Sequence, residues 1–295
     1  MWQYLRKIRV TFNGGALVVN PGSETDRQLR VRFSVSKGIS GVANTATIEI
    51  FNLAKDRRKA VGKELDDVLL EAGYWPPTGG NNVGIIFKGQ MRDVEHRYEG
   101  ADIITKLECG DGDRGLRRAT ISKTFPAGTP VKEVVEELQR KFEEHGIDRG
   151  EWRGLDDLPP YKRPYSMCST CDREMDRIAR SNKLYWSIQN GAMEIITSDG
   201  FIESAVYLTP ETGLIGVPTL TDNGIRCDAL LNPEVRPNRK VVVQSKTLEM
   251  NSEGGVYRVS QAAYTGDNRD DGPNFIVTIA GERIESGKVD EGVRR

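Results

Sequence analysis

The sequence predicts a mainly β fold, a β-rich α+β chain built as two β-barrel units with a small α+β insertion between them. Three observations predict it. Apolar and polar residues alternate over short runs at both ends of the chain. Glycine (31) and proline (13) cut those runs at turn spacing. The strong helical periodicities fall in the middle third. The expected boundaries are 1–111 for the first unit, 112–198 for the insertion, 199–284 for the second unit and 285–295 for a flexible tail without periodicity.

In the first unit Ile8, Val10 and Phe12 alternate with polar residues, and Asn13-Gly14-Gly15 turns the chain into residues 16–19, a first hairpin. Leu29, Val31, Phe33 and Val35 alternate with arginines and serines, so one face is buried and the other is solvated or pressed on a neighbouring subunit. Residues 46–53, ATIEIFNL, repeat the pattern. Residues 56–61 are basic and read as one helical turn before a strand at 68–74. The stretch 74–82, YWPPTGGNN, is a loop, because its prolines and glycines do not fit a central strand. Strands at 83–91 and 103–109, joined through Tyr98-Glu-Gly-Ala, complete the unit.

In the insertion Thr129 is placed as a helix N-cap and Pro130 at the first helical position. Val131, Val134, Val135, Leu138 and Phe142 follow at helical spacing until Gly146. A second helix over 170–182 turns Met175, Ile178 and Ala179 inward. The strand 184–188, the turn Gln189-Asn-Gly and the strand 193–197 follow. These elements can bury one another's apolar faces. Residues 150–165 form a long loop whose Trp152 and Tyr161 are expected to dock on something.

The second unit centres on residues 212–245, TGLIGVPTLTDNGIRCDALLNPEVRPNRKVVVQS. Gly213, Gly216, Pro218, Gly224, Pro233 and Pro237 separate the apolar runs 214–217, 225–231 and 240–243, the punctuation of a β-meander. Asn223-Gly224 is expected to supply the two positive-φ positions of a tight turn, making 219–231 one hairpin. Strands at 257–264 and 275–280, joined by the polar turn 265–274, end the regular structure.

Lysines and arginines (42) nearly balance aspartates and glutamates (43), so no global field draws the chain to nucleic acid or anionic lipid. No run approaches the roughly 18 apolar residues of a spanning helix, and the first residues lack the apolar core of a secretory signal. The chain is expected to fold in a cytoplasm with its four cysteines reduced.

Residues that could carry chemistry each have a structural reading. Cys168-Ser-Thr-Cys171 has the spacing of half a zinc site or a redox pair. Cys109, Cys227, His96 and His145 offer no second close spacing, so buried thiols at a helix start are expected. His145 sits in the last turn of the first insertion helix, where the dipole favours it, and His96 lies among charges of a hairpin. Asp111, Asp113, Glu136, Glu137, Asp156 and Asp157 could pair for glycoside cleavage, yet all fit solvated faces or turns. Asp111-Gly-Asp113 and residues 267–271, DNRDD, share fragments of calcium loops without the closing glutamate and read as hairpin tips. Residues 114–118, RGLRR, read as a solvated strand or as subunit salt bridges. No catalytic residue, metal or cofactor is expected.

Thr-Gly-Leu-Ile-Gly-x-Pro, Asn-Gly-Ile-x-Cys and Leu-Leu-Asn-Pro followed by Arg-Pro resemble the second barrel of baseplate hub proteins of tailed, mainly contractile, bacteriophages. Residues 31–37, VRFSVSK, then ATIEIFNL, Ile86-Phe-Lys-Gly, Tyr257-Arg-Val-Ser and Thr265-Gly-Asp extend the resemblance, in order, along nearly the whole chain. Gly213, Gly216, Pro218, Asn223, Gly224, Asn232, Pro233 and Pro237 carry it, as structural turns that can also border an interface. The resemblance implies two tail-tube-like barrels in a structural, non-enzymatic virion protein. It would assemble in the bacterial host cytoplasm as a homotrimer, join the tail tube to the central spike and adapt three-fold to six-fold symmetry. It also implies baseplate wedge or tail-tip proteins and the tape-measure protein as partners. Prolines and charges such as Arg236 and Arg239 would limit wrong edge pairing. The rival readings are a hub-associated peptidoglycan hydrolase and a glycan-binding module. The second rests on Pro126-Ala-Gly-Thr-Pro and its helix, which resemble the opening of small carbohydrate-binding modules.

Overall fold

The computed structural model describes residues 5–22, 28–61, 67–75, 82–246, 248–270, 272 and 274–283. The expected tail 285–295, residues 76–81 of the first-unit loop, and Asp271 lie outside the described residues. The N-terminal part contains β1 (Leu5–Phe12), β2 (Leu17–Val19), β3 (Val31–Gly38), β4 (Thr45–Phe51), α1 (Lys55–Ala60), β5 (Asp67–Trp75), β6 (Gly84–Glu99) and β7 (Asp102–Gly110). The middle contains α2 (Asp113–Arg118), β8 (Thr120–Phe125), α3 (Val131–Glu143), β9 (Asp148–Trp152), β10 (Tyr165–Thr170), α4 (Cys171–Asn182), β11 (Leu184–Gln189) and β12 (Ala192–Thr197). The C-terminal part contains β13 (Ile202–Leu208), β14 (Leu214–Thr221), β15 (Gly224–Leu230), β16 (Arg239–Val243), β17 (Val256–Asp267) and β18 (Phe275–Arg283).

Mainly β is what the chain adopts, but the strands do not close into two separate barrels. Thirteen of them form one sheet in the order β14-β15-β18-β17-β3-β4-β7-β6-β5-β1-β2, with β16 on β17 and β13 on β16. The join is the antiparallel β3–β17 ladder, from Gln261 opposite Gly38 to Asp267 opposite Arg32. Period-two patterning made this possible. Val31, Phe33 and Val35 of β3 and Ala46, Ile48 and Ile50 of β4 all face inward, so a further strand can add to β3 without turning an apolar face to water. One apolar cluster runs from Ile8 to Cys109 and continues from Leu208 to Ile279. Phe275 meets Phe33 and Tyr74 edge-on, and the Tyr74 hydroxyl donates to the Phe275 carbonyl at 2.8 Å.

The middle residues have a second core. Val131, Val134, Val135, Leu138 and Phe142 of α3 pack with Met175 and Ile178 of α4 and with Trp186, Met193 and Ile195 of the β11–β12 hairpin. Asn190 and Gly191 both take positive φ, 55° and 82°, as this two-residue turn requires. Trp152 and Tyr161 do dock, packed against this second core. The Trp152 indole donates to the Met193 carbonyl at 3.0 Å, Tyr161 stacks on Tyr165, and Gly128 and Tyr161 exchange backbone bonds with Tyr161 and Thr129.

Three local expectations are corrected. The N-cap of α3 is Pro130, not Thr129, whose hydroxyl instead donates to the Pro126 carbonyl at 2.9 Å. Residues 114–118 are helical, within α2, because Asp113 leads the helix and binds Arg117 one turn later at 2.9 Å. The β14–β15 hairpin turns at Asp222-Asn223, and neither Asn223 nor Gly224 has positive φ. Gly224 opens β15 for a different reason. A Cβ there would run into the Gly281 carbonyl of β18.

Candidate functional site

The structure divides the eight motif residues between two places. Gly213, Gly216 and Pro218 shape β14, the last strand on its side of the sheet. Gly213 sits at φ 117° and its carbonyl accepts from the Leu230 N–H at 2.8 Å. Between the pairs Ile215–Asp228 and Thr219–Arg226 lie three residues on β14 against one on β15, a bulge. Gly216 supplies its left-handed position at φ 67°, and Pro218 has no N–H to leave unpaired. The bulge pushes Val217 out to 63% exposure beside Ile215 at 38%. Asn223 and Gly224 stand at the far end of the same hairpin.

Asn232, Pro233 and Pro237 belong to a connector that ties the parts together. The Asn232 side chain accepts from the Glu234 N–H at 3.0 Å, Pro233 packs over Gly84 of β6, and Val235 is buried in the large core. Tyr264 donates to the Val235 carbonyl. Past Pro237, Asn238 takes φ 67° and donates to Glu194 of β12 at 2.9 Å. Arg239 pairs with the same Glu194 at 3.0 Å and is mostly buried, so it serves this joint rather than guarding a strand edge.

Several charged groups are buried around that joint. Asp111 follows β7 and is fully buried. Its two carboxylate oxygens accept from the Asn190 N–H at 2.7 Å and the Gly191 N–H at 2.8 Å. Lys37, at the end of β3, donates to the Asn190 side chain at 2.5 Å. Asn44 donates to the Ile188 carbonyl at 2.6 Å, and Gln189 to the Gly38 carbonyl at 2.8 Å. Burial raises the Asp111 carboxyl to about 6, against the pull of Lys37 and the turn N–H groups. It lowers Lys37 to about 8. Asp111 and Asp113 are therefore not hairpin-tip residues. Asp113 is also buried, held by Arg92 at 2.8 Å and by Arg117. The reading of residues 267–271 holds for their described part, a turn between β17 and β18. Asp267 itself is buried against Arg30 at 2.8 Å.

The other reactive candidates are separated. Cys171 is buried at the start of α4 as expected, and burial pushes its thiol up to about 12, whereas Cys168 on β10 is exposed. Glu137 lies between Lys123 and Arg140, Glu136 faces Arg149, and Asp156 faces Lys132. These pairings bring no two carboxylates to one cleft. Nδ1 of His96 shares a hydrogen bond with Thr105 at 3.1 Å. Lys37 and Asn44 were missed in the sequence. Lys37 did leave a signal, since it continues the inward phase of Val31, Phe33 and Val35.

Three solved structures share this fold. A 43 kDa tail protein of prophage MuSo2 from Shewanella oneidensis superposes with a TM-score of 0.65 at 9% identity, covering 95% of this chain and 98% of that one. A tail protein from Neisseria meningitidis does so at 0.60 and 9%, covering 95% and 97%. The Escherichia coli c3393 protein is a type VI secretion component described as similar to the T4 tail proteins gp27 and gp5. It superposes at 0.60 and 10%, covering 94% and 76%. No curated protein sequence matches the chain. The family comparison reaches further than the fold alone: residues 7–281 match baseplate hub gp41, and the chain belongs to that family.

Proposed function

We propose that the chain is a non-enzymatic hub subunit that assembles as a homotrimer, joins the tail tube to the central spike and adapts three-fold to six-fold symmetry. Its family makes it a structural component of a phage tail baseplate. The observation that carries the finer reading is the β3–β17 ladder. It joins β1–β7 to β13–β18 in one sheet over a shared apolar cluster, which supports reading each copy as two β units, 1–111 and 199–284, in a fixed relation with 112–198 inserted between them. Three copies around an axis then offer six β units to a six-fold tube. The partners in this reading are the tube and spike proteins of a contractile tail, wedge or tail-tip proteins, and the tape-measure protein, met during assembly in the host cytoplasm. The test is the absolute mass of the purified chain by light scattering, alone and with its tube or spike protein. A trimer in either condition supports the reading. A monomer indifferent to both partners refutes it.

A further inference from the structure

Among the described residues, helix α1 is anchored at its two ends. Leu53 and Val61 on either side are buried, while no residue of the helix itself is. It carries Lys55, Arg57, Arg58 and Lys59 against one acid, Asp56. Among the described residues none of these four side chains has an ion pair, a hydrogen bond or a ring contact. Lys55 lies three and four residues from Arg58 and Lys59, spacings at which like charges destabilise a helix. A helix of six residues has little stability of its own to offset that. The last-turn cations suit the helix C-terminus, which relieves part of the repulsion.

A second patch has the opposite sign. The β5 ladder on β6 ends at Gln90, and residues 91–99 pair only with β7 among the described residues. Among the described residues no strand pairs with their other edge. Asp93 and Glu95, two positions apart and so on one strand face, are exposed there and form no ion pair among the described residues. Arg97 on the same face is taken by Glu49 and Glu99, and Lys106 by Glu108.

A ring of identical subunits with three-fold symmetry uses a heterologous interface, so each copy must offer two different, complementary patches. We propose that α1 of one copy docks on the β6 edge at Asp93 and Glu95 of the next, its cations facing that acidic pair. This rests on the trimer reading above and adds the surfaces that meet. The contact sets direction around the ring and speeds encounter, which is what opposed charged patches do.

The test uses the full chain and its charge reversals R57E/R58E and D93K/E95K, with circular dichroism to verify folding. In low salt each reversal weakens trimer formation by about tenfold or more, and the chain carrying both, R57E/R58E/D93K/E95K, recovers association because the swapped pair then recurs at all three interfaces. If both reversals assemble as the wild type does, the proposal is overturned while the trimer reading stands. If R57E/R58E assembles normally but loses retention of a duplex oligonucleotide that the wild type binds, the helix serves nucleic acid and the proposal is again overturned. If only R57E/R58E weakens the trimer, the helix docks elsewhere and the assignment to the β6 edge fails. A wild type that never trimerises, alone or with its partners, refutes the underlying reading and the proposal with it.

Discussion

Replacing Asp111 by alanine tests whether its buried carboxyl, through the hydrogen bonds it accepts, ties the end of β7 to the 190–191 turn. The side chain accepts from two backbone N–H groups of the 190–191 turn. Charge-assisted bonds of this kind contribute about 1.5–3 kcal/mol each. Lys37 would also lose the nearby carboxylate that pulls its value up against burial. Because burial already brings Lys37 down to about 8, it can neutralise in the variant, which limits the total. The expected loss at neutral pH is about 3–5 kcal/mol, read from urea melts followed by tryptophan fluorescence. Trp186 in the insertion core is a suitable reporter, stacked on Phe142 at 6.1 Å. The pH profile gives an independent check. The folded-state value of Asp111 is raised to about 6, above its ordinary 3.8, so the native state binds more protons between them. Its contribution to stability is present below 3.8 and is lost as pH rises through about 6. Lys37 is lowered from 10.5 to about 8, so its contribution is gained as pH rises from about 8 toward 10.5. Asp111→Asn removes the acid limb and leaves the rest of the profile. A loss under about 1 kcal/mol for Asp111→Ala, with an unchanged acid limb, would falsify the idea that this carboxyl fastens the 190–191 turn to β7.

Two further substitutions and a labelling experiment follow from the same geometry. Gly224→Ala places a methyl against the Gly281 carbonyl and is expected to cost about 1–3 kcal/mol in thermal melts. Asn223→Gly is expected to stay within about 0.5 kcal/mol, since Asn223 has no left-handed strain to relieve; the reverse ranking would restore the positive-φ turn. Iodoacetamide followed by mass spectrometry is expected to label Cys168 in the native state. Cys109, Cys171 and Cys227, which burial raises to about 12, should react only after unfolding, and native labelling of any of them would contradict the packing.

The sequence by itself determined the elements whose cause is local. The alternation around Val31 to Val35, the amphipathic spacing from Val131 to Phe142 and the Asn190-Gly191 turn are each settled by side-chain period or backbone freedom within a few residues. Even the buried lysine of the joint stood in phase with its strand. The tertiary structure decided what depends on distant backbone. That β3 adds to β17 rather than closing a separate barrel is a choice between strand edges of equal local pattern, made by the shared core of Phe33, Tyr74 and Phe275. Gly224 looked like a turn glycine because Asn-Gly favours that conformation. What holds a glycine there is the carbonyl of a strand 57 positions later, a steric demand that leaves no trace in the neighbouring residues. Asp111 looked like a solvated tip for the same reason. Its burial depends on a hairpin about eighty residues further along the chain, and local residue chemistry carries no record of which distant turn will cover it.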